Sequence, residues 1–230
     1  MAKSISTDHA LVRRAANKMF LRSYGGDRRP RLASPYPLFP AVRDLEAKFP
    51  QLQSEVEELL RKRELGRYED IDPVRAAQIS KDWRLYYAYV LGVPNEAARK
   101  DTPTLLDFAE NTPGVVSAMV SVLEPGVNLD AHAGPYAGIL RYHLCVSTPA
   151  KNPPRIRVDQ EYYTWKAGES IVLDDTFEHE VRNEAEEPRV VIIVDFRRPL
   201  GPLADSVNRW FLRSKRKASS KMIQLSNGDY

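Results

Sequence analysis

The feature that most constrains the fold is a change in the residue pattern near position 115. Downstream, short runs rich in β-branched and aromatic residues alternate with Gly and Pro turns, without intervening helical segments. The runs are 115–123, 138–147, 155–159, 162–165, 170–173 and 189–196, with a shorter one at 178–181. This spacing is typical of an antiparallel sandwich or barrel rather than of alternating βαβ units. We expect a mainly β protein in three parts: a helical region packed on the core (1–114), the β core (115–199), and a C-terminal helix with a basic tail (200–230).

Helical periodicity precedes and follows the β-rich part. It predicts a helix over 7–24 and a helical region over 42–60 that is interrupted at Pro50. Pro73 begins a short helical turn, and Pro103 introduces a last helix before Pro113. After the β core a helix is expected over 204–213, followed by a frayed end over 219–230.

Composition narrows the class of protein. The 230 residues include 34 Lys and Arg against 31 Asp and Glu, a mixed balance that does not indicate nucleic-acid binding. No run reaches the roughly 18 apolar residues of a membrane span, and we expect no transmembrane segment. A basic-then-apolar leader is missing from the first residues, and the single cysteine, Cys145, has no disulfide partner, so a reducing cytoplasm is expected.

The C-terminal part concentrates positive charge. Arg213, Lys215, Arg216, Lys217 and Lys221 follow an apolar Trp-Phe-Leu sequence at 210–212. Such a basic amphipathic end predicts either peripheral contact with anionic lipid or a solvated tail that keeps the chain soluble. The sequence leaves both interpretations open.

Two histidines are the strongest chemical signal. His9 belongs to the N-terminal helix, whereas His132 and His179 lie in separate apolar, β-prone segments. Two imidazoles brought together from separate strands form a candidate site for a divalent metal. Carboxylates near His179, at Asp174, Asp175, Glu178 and Glu180, are expected to be structural or to orient the ligands rather than to catalyse.

Arg189 is the best candidate for binding an anion. It begins an otherwise apolar strand, so its guanidinium is expected to face a partly desolvated interior. An unpaired charge there is unfavourable, and a bound carboxylate would relieve the penalty. The alternative is an ion pair with Asp174, Asp175 or Asp195.

Six motifs occur in one order across the β-rich part. They are S-x-L-x-P-G (121–126), H-x-G-P (132–135), R-x-H-L (141–144), W-x-x-G (165–168), D-D-x-x-x-H-E-V (174–181) and R-V-V-I-I-V-D-x-x-x-P (189–199). This order resembles the aspartyl/asparaginyl β-hydroxylase family of iron(II)- and 2-oxoglutarate-dependent dioxygenases. The likeness runs from about residue 81 to Pro199 and lapses in the N-terminal helices.

The resemblance implies a double-stranded β-helix (a jelly-roll, cupin-like core) that uses Fe(II), O2 and 2-oxoglutarate as cosubstrate. His132 and His179 match the catalytic iron ligands. Gly134 stands where related oxygenases place a carboxylate ligand. The resemblance implies that this family is an exception among such oxygenases: the carboxylate ligand is absent and water can take its place. Asp130, expected on the same strand face as His132, is an alternative third ligand.

The resemblance also assigns the cosubstrate contacts. Arg189 matches the arginine that binds the distal carboxylate of 2-oxoglutarate, assisted by Ser121. Arg141 and His143, which alternate on one strand and so share a face, match the pair near its other end. Trp83, in the pair Asp82-Trp83, matches an aromatic position near the substrate.

Substrate identity stays open. Family members that act on acidic side chains often carry an arginine two residues before Arg141, where this chain has Ile139. The expected substrate is a small molecule, a peptide or a lipid-linked group, and related hydroxylases act on lipid A acyl chains, sugars or free or carrier-bound amino acids. Two other classes of protein compete with a hydroxylase: a non-catalytic cupin-like binding module and a membrane-surface adaptor built on the basic C-terminus.

Overall fold

The computed structural model describes residues 2–79 and 83–228, including side chains except those of residues 2–10 and Gln78. The helices are α1 (Ala2–Ser23), α2 (Val42–Glu46), α3 (Phe49–Lys62), α4 (Tyr68–Ile71), α5 (Pro73–Ile79), α6 (Ala98–Asp101), α7 (Pro103–Asn111), α8 (Pro202–Lys215) and α9 (Ser219–Ser226). The strands are β1 (Leu32–Ala33), β2 (Gly66–Arg67), β3 (Trp83–Val90), β4 (Val93–Pro94), β5 (Val115–Leu123), β6 (Leu129–His132), β7 (Ile139–Ser147), β8 (Arg155–Val158), β9 (Glu161–Thr164), β10 (Ser170–Leu173), β11 (His179–Arg182) and β12 (Arg189–Arg197).

Two antiparallel sheets face each other. The larger has the strand order β1-β10-β7-β12-β5-β3-β2, with β4 paired to β3, and the smaller has the order β6-β11-β8-β9. Apolar side chains of both sheets form one cluster, in which Val158 and Val181 of the smaller sheet join Val191 and Ile193 of the larger. The predicted jelly-roll core is therefore confirmed.

The larger sheet is buried on both faces, as strand β12 illustrates. Val190, Ile192 and Val194 belong to the cluster formed with helices α2, α3 and α7, whereas Val191 and Ile193 face the smaller sheet. Because side chains alternate along a strand, Arg189 and Asp195 share the inner face with Val191 and Ile193. The inner face of the barrel is thus apolar in its middle and charged at both ends of β12.

Each predicted helical segment is present, including the break before Pro50, where α2 and α3 are separate helices, whereas α4, α6 and α9 were not predicted. The sheet, however, begins upstream of the predicted start at residue 115, because β3 pairs along the length of β5. Apolar alternation explains this: Tyr86 and Ala88 face the helices, whereas Leu85 and Tyr87 face the barrel interior. The division of the chain at 114 and 199 stays a prediction.

The predicted frayed end is wrong for residues 219–226. Helix α9 packs against β3 and buries Ser219, Ile223 and Ser226. The Ser226 hydroxyl accepts a hydrogen bond from the Tyr87 backbone N–H at 3.1 Å. The sequence gives little sign of this docking, because residues 219–226 contain only three apolar side chains, at Met222, Ile223 and Leu225.

Candidate metal and cosubstrate site

His132 and His179 are direct cross-strand neighbours on β6 and β11. Their ring centroids lie 4.2 Å apart. The Nδ1 atom of His132 is 2.6 Å from the carbonyl oxygen of Asp130, and the Nδ1 atom of His179 is 3.0 Å from that of Phe177. A carbonyl only accepts, so both Nδ1 atoms donate and both Nε2 atoms keep a lone pair for a metal.

Burial keeps both rings neutral. It lowers the pKa of His132 to about 4, assisted by the neighbouring His179, and it lowers the pKa of His179 to about 4 as well. Neutral imidazole is the form that binds metals, so the pair is prepared for a cation at neutral pH.

Gly134 and Asp175 are in close contact beside the histidine pair. A Cβ atom on Gly134 would lie 2.6 Å from Cγ of Asp175, and the Gly134 N–H donates to the Asp175 carbonyl at 2.6 Å. The Asp175 carboxyl is buried, its Oδ1 has no hydrogen-bond partner, and burial raises its pKa. The space that a carboxylate at position 134 would need is therefore filled by the carboxylate of Asp175.

The expectation that Asp130 shares the inner face with His132 is wrong. The register between β6 and β11 shifts, so that two steps along β11, from His179 to Val181, match three steps along β6, from His132 to Leu129. This bulge turns Asp130 outward, where its side chain is 70% exposed and lies 3.8 Å from Arg182. Asp130 contributes its backbone carbonyl to the site through His132.

Arg189 lies deep in the barrel with a residue exposure of 2%. It forms no ion pair with a described carboxylate: Asp195 pairs with Arg141, and Asp174 pairs with Arg29 and Arg198. Its Nε atom has no hydrogen-bond partner, and its Nη2 atom is 3.4 Å from the Ser121 hydroxyl. Burial lowers the pKa of Arg189 to about 10, so the group is still a cation at neutral pH.

Aromatic and polar side chains surround Arg189. Its guanidinium lies 4.5 Å from the ring centroid of Trp165, which also stacks on His143. Both ring nitrogens of His143 are buried without a partner, and burial lowers its pKa well below the usual range. Trp83 donates a 2.9 Å hydrogen bond to the Ser121 hydroxyl. The predicted cosubstrate residues Ser121, His143 and Arg189 therefore meet in one unsatisfied polar cluster.

Arg141 lies between this cluster and the histidine pair. It forms a two-point ion pair with Asp195, with N–O distances of 2.8 and 3.1 Å, and its Nη1 is 3.9 Å from Asp175. Its charge is thus balanced within the protein, in contrast to that of Arg189.

A cavity of about 210 Å³ opens onto His132 and His179. Arg141, Gly134 and Asp175 form the polar side of its lining. The remaining wall is largely apolar and comprises Tyr68, Ile71, Ile79, Trp83, Leu85, Tyr87, Met119 and Met222. Asp72 and Arg75 complete the lining, and Arg75 donates to the Ala133 carbonyl at 3.5 Å. Asp82, paired with Trp83 in the sequence prediction, lies outside the described residues.

The residues present fit the expected metal and cosubstrate. The described chain contains no group of three or more His, Cys, Asp or Glu arranged to hold a metal, so an ion on the two Nε2 atoms needs further ligands from solvent or a chelating molecule. A dicarboxylate satisfies this need and also supplies the missing partner of Arg189. The unpaired nitrogens of His143 and Arg189 mark where its polar atoms are required.

Comparison with known proteins assigns the class. Residues 46–199 match the family described as aspartyl/asparaginyl beta-hydroxylase. The chain belongs to this family, and the match begins before residue 81, so it includes part of the N-terminal helical region where the resemblance was expected to lapse. The family is one of hydroxylase enzymes.

Relatives with curated names differ in substrate. The chain is 37% identical over 177 residues to the ornithine lipid ester-linked acyl 2-hydroxylase of Rhizobium tropici, covering 76% of this chain and 63% of the relative. It is 36% identical over 123 residues to the aspartyl/asparaginyl beta-hydroxylase of Homo sapiens, covering 51% and 16%. The chain thus spans less than two thirds of either relative.

Solved structures similar to this chain are cupin-type barrels. A predicted oxalate decarboxylase from Thermotoga maritima has a TM-score of 0.36 at 12% identity and covers 52% of this chain and 84% of its own. A cupin 2 conserved barrel protein from Salinispora arenicola has a TM-score of 0.35 at 14% identity and covers 56% and 85%.

Sequence reasoning missed the apolar wall and the charge balance of the site. Ile71, Ile79 and Met222 come from helices distant in sequence, and no local pattern links them to the histidines. The Arg141–Asp195 ion pair could have been predicted from an alignment of the two strands, because antiparallel pairing of β7 with β12 places these residues opposite each other. The contact of Gly134 with Asp175 could not be predicted without the three-dimensional structure.

Proposed function

We propose that this protein is an iron(II)- and 2-oxoglutarate-dependent dioxygenase that hydroxylates an unactivated carbon. The observation that carries the proposal is Arg189, a buried cation without a carboxylate partner among the described residues, in the same barrel as a neutral histidine pair. A structural arginine at this depth would be paired, as Arg198 is with Asp174 at 2.8 Å. A guanidinium left free favours a bound anion.

Each residue has a defined task in this proposal. His132 and His179 hold the metal through Nε2, while Arg189 and the Ser121 hydroxyl bind the distal carboxylate of 2-oxoglutarate. His143 and Arg141 bind polar atoms nearer the metal. Iron(II) supplies oxygen activation coupled to decarboxylation of 2-oxoglutarate. The chain's own contribution is to orient the reactants and to exclude water from them.

The cavity lining supports a substrate with an apolar chain. Ile71, Ile79 and Met222 form an apolar wall opposite the histidine pair, and an apolar chain would bury against it. Ile139 cannot pair with a substrate carboxylate. We therefore favour an acyl-chain substrate over an aspartyl or asparaginyl side chain, as the Rhizobium tropici relative is named an acyl 2-hydroxylase.

Oxygen-dependent conversion of 2-oxoglutarate to succinate tests the proposal. The wild-type protein with iron(II) should form succinate slowly alone and faster with a medium-chain N-acyl amino acid, whereas an unacylated aspartyl peptide should not accelerate it. The variants His132→Ala and His179→Ala should form succinate at least 100-fold more slowly than the wild type. Equal succinate formation in wild type and both variants would overturn the proposed function, and acceleration by the peptide alone would overturn the substrate class.

A further inference from the structure

Helices α1 and α8 pack together into one surface that the proposed reaction does not use. Ala16 and Phe20 of α1 meet Ala204 of α8 in a separate apolar cluster. Outside this seam, residues 11–23 of α1 and most of α8 are polar and exposed, apart from a few apolar side chains. On α8, Leu203 is 76% exposed and Trp210 is 62% exposed, and on α1 Leu11 and Val12 are exposed too. Leu203 and Trp210 are seven residues apart and share one helix face.

The same surface concentrates positive charge. Residues 11–23 of α1 and 202–215 of α8 contain seven Lys and Arg but one acidic residue, Asp205, a net charge of +6 against +3 for the whole chain, and Arg216 and Lys217 directly follow α8. Asp205 is already paired with Arg197 and Arg209, at 2.8 and 2.7 Å. Arg213, Lys215 and Lys217 are exposed and form no ion pair with a described carboxylate. The charge on this surface is therefore not balanced within the protein.

The α1–α8 surface is connected to the candidate site. Asn17 of α1 donates to the Pro135 carbonyl at 2.9 Å and accepts from the Ala137 N–H at 3.0 Å. Asn208 of α8 accepts from the Tyr136 hydroxyl at 2.5 Å and donates to the Gly138 carbonyl at 2.7 Å. These bonds hold the loop that directly follows His132 against the protein-facing sides of both helices.

We propose that the α1–α8 surface binds the head-group region of an anionic phospholipid bilayer. Exposed Trp and Leu side chains on helices that also carry exposed Lys and Arg match this region, where aromatic and apolar groups enter the interface and cations meet lipid phosphates. None of the described helices is long and apolar enough to span a membrane, so the contact is peripheral. The proposal stands independently of the reaction, because it uses no residue of the metal or cosubstrate site.

Vesicle binding by the full chain, without iron or 2-oxoglutarate, tests the proposal. Co-sedimentation with phosphatidylcholine vesicles that contain phosphatidylglycerol should exceed that with phosphatidylcholine alone at least tenfold and should weaken with added salt. Trp83 and Trp165 are buried, so a blue shift of tryptophan emission on binding reports Trp210.

Matched variants separate a specific surface from general basicity. Trp210→Ala and the double variant Arg213→Gln/Lys217→Gln should each lower vesicle affinity at least fivefold. Tyr162→Ala, which removes an aromatic side chain of 61% exposure on β9, and Lys100→Gln/Lys151→Gln should not. Binding independent of phosphatidylglycerol, or reduced equally by the controls, would contradict the proposal. So would an absence of vesicle binding together with self-association that Trp210→Ala abolishes, since that would assign the surface to a second copy.

Discussion

At the residue scale, Arg189 and Arg141 differ in how their charge is balanced. Arg141 pairs with Asp195, whereas Arg189 is buried and forms no ion pair with any carboxylate in the described part of the chain. We predict that Arg189→Met raises the free energy of unfolding of the ligand-free chain by about 1 kcal/mol or more, because an unpaired buried charge is removed. Arg141→Met should lower it by about 3 kcal/mol, because Asp195 is left buried and unpaired. Urea denaturation with a metal chelator measures both.

Arg189→Met should at the same time weaken 2-oxoglutarate binding about 100-fold, the equivalent of about 3 kcal/mol. Isothermal titration with a redox-inert divalent metal in place of iron measures this. A variant that is both destabilised and unchanged in 2-oxoglutarate affinity would show that Arg189 is a structural residue.

Gly134 and Asp175 permit a second test at this scale. Gly134→Asp restores the carboxylate that related oxygenases carry, yet we predict that it weakens metal binding at least tenfold, because its side chain meets the carboxyl of Asp175. The double variant Gly134→Asp/Asp175→Ala vacates that space and should recover metal binding. Cobalt(II) absorption monitors the site. Normal binding by Gly134→Asp alone would mean that Asp175 moves freely, contrary to its buried position.

At the scale of elements, helix α9 is held close to β2. A Cβ on Gly66 would lie 2.1 Å from the Leu225 carbonyl oxygen, whereas one on Gly201 would meet only the Ser23 hydroxyl at 3.6 Å. We predict that Gly66→Ala lowers the free energy of unfolding by about 1–3 kcal/mol through overpacking. Gly201→Ala serves as the control and should change it by less than about 0.5 kcal/mol. Equal urea midpoints for the two variants would imply that α9 is not docked.

The elements also show where sequence reasoning succeeds and fails. Strands β5 and β10 lie where their runs of β-branched residues predict. Turn residues mark the ends of both runs, so their bounds can be recognised in the sequence. Strand β6 was not predicted as an element of its own, since it is short and its bulge breaks the alternation that would have revealed it. The same bulge is the reason that Asp130 points outward and not, as predicted, to the inner face. The local residue pattern is therefore enough to predict regular strands, whereas an irregular strand can be predicted only when its partner strand is known.

At the scale of the whole molecule, the buried neutral His143 predicts a pH dependence of stability. Its pKa is well below 6.5 in the fold and ordinary in the unfolded chain, so the unfolded state binds more protons below pH 6.5 and stability falls as pH decreases. By pH 5 one such group removes up to about 2 kcal/mol, the limit set by an ordinary pKa in the unfolded chain. The variant His143→Gln lacks this group. The free energy of unfolding of the wild type should therefore fall more than that of the variant between pH 7 and pH 5, and an equal fall in both would contradict the burial of His143.

Motif order in the sequence predicted which residues meet, and the structure brings the polar residues of the predicted site to one barrel interior. His132 and His179 are cross-strand neighbours, and Ser121 lies beside Arg189. What the sequence left open was how charge is distributed among them. Asp195 is 54 residues from Arg141, and only the sheet register pairs the two, so that Asp195 does not neutralise Arg189. The α1–α8 surface likewise depends on packing between the two ends of the chain.

The most direct test of the central claim is the visible charge-transfer absorption of the chelate formed by iron(II) and 2-oxoglutarate, recorded without oxygen. Wild type should develop the band on addition of both components. His132→Ala and His179→Ala should lack it at any 2-oxoglutarate concentration, and Arg189→Met should require about 100-fold more 2-oxoglutarate. Arg182→Gln, which alters an exposed arginine on β11, should match wild type. An unchanged band in all three site variants, or no band in wild type, would contradict the assignment.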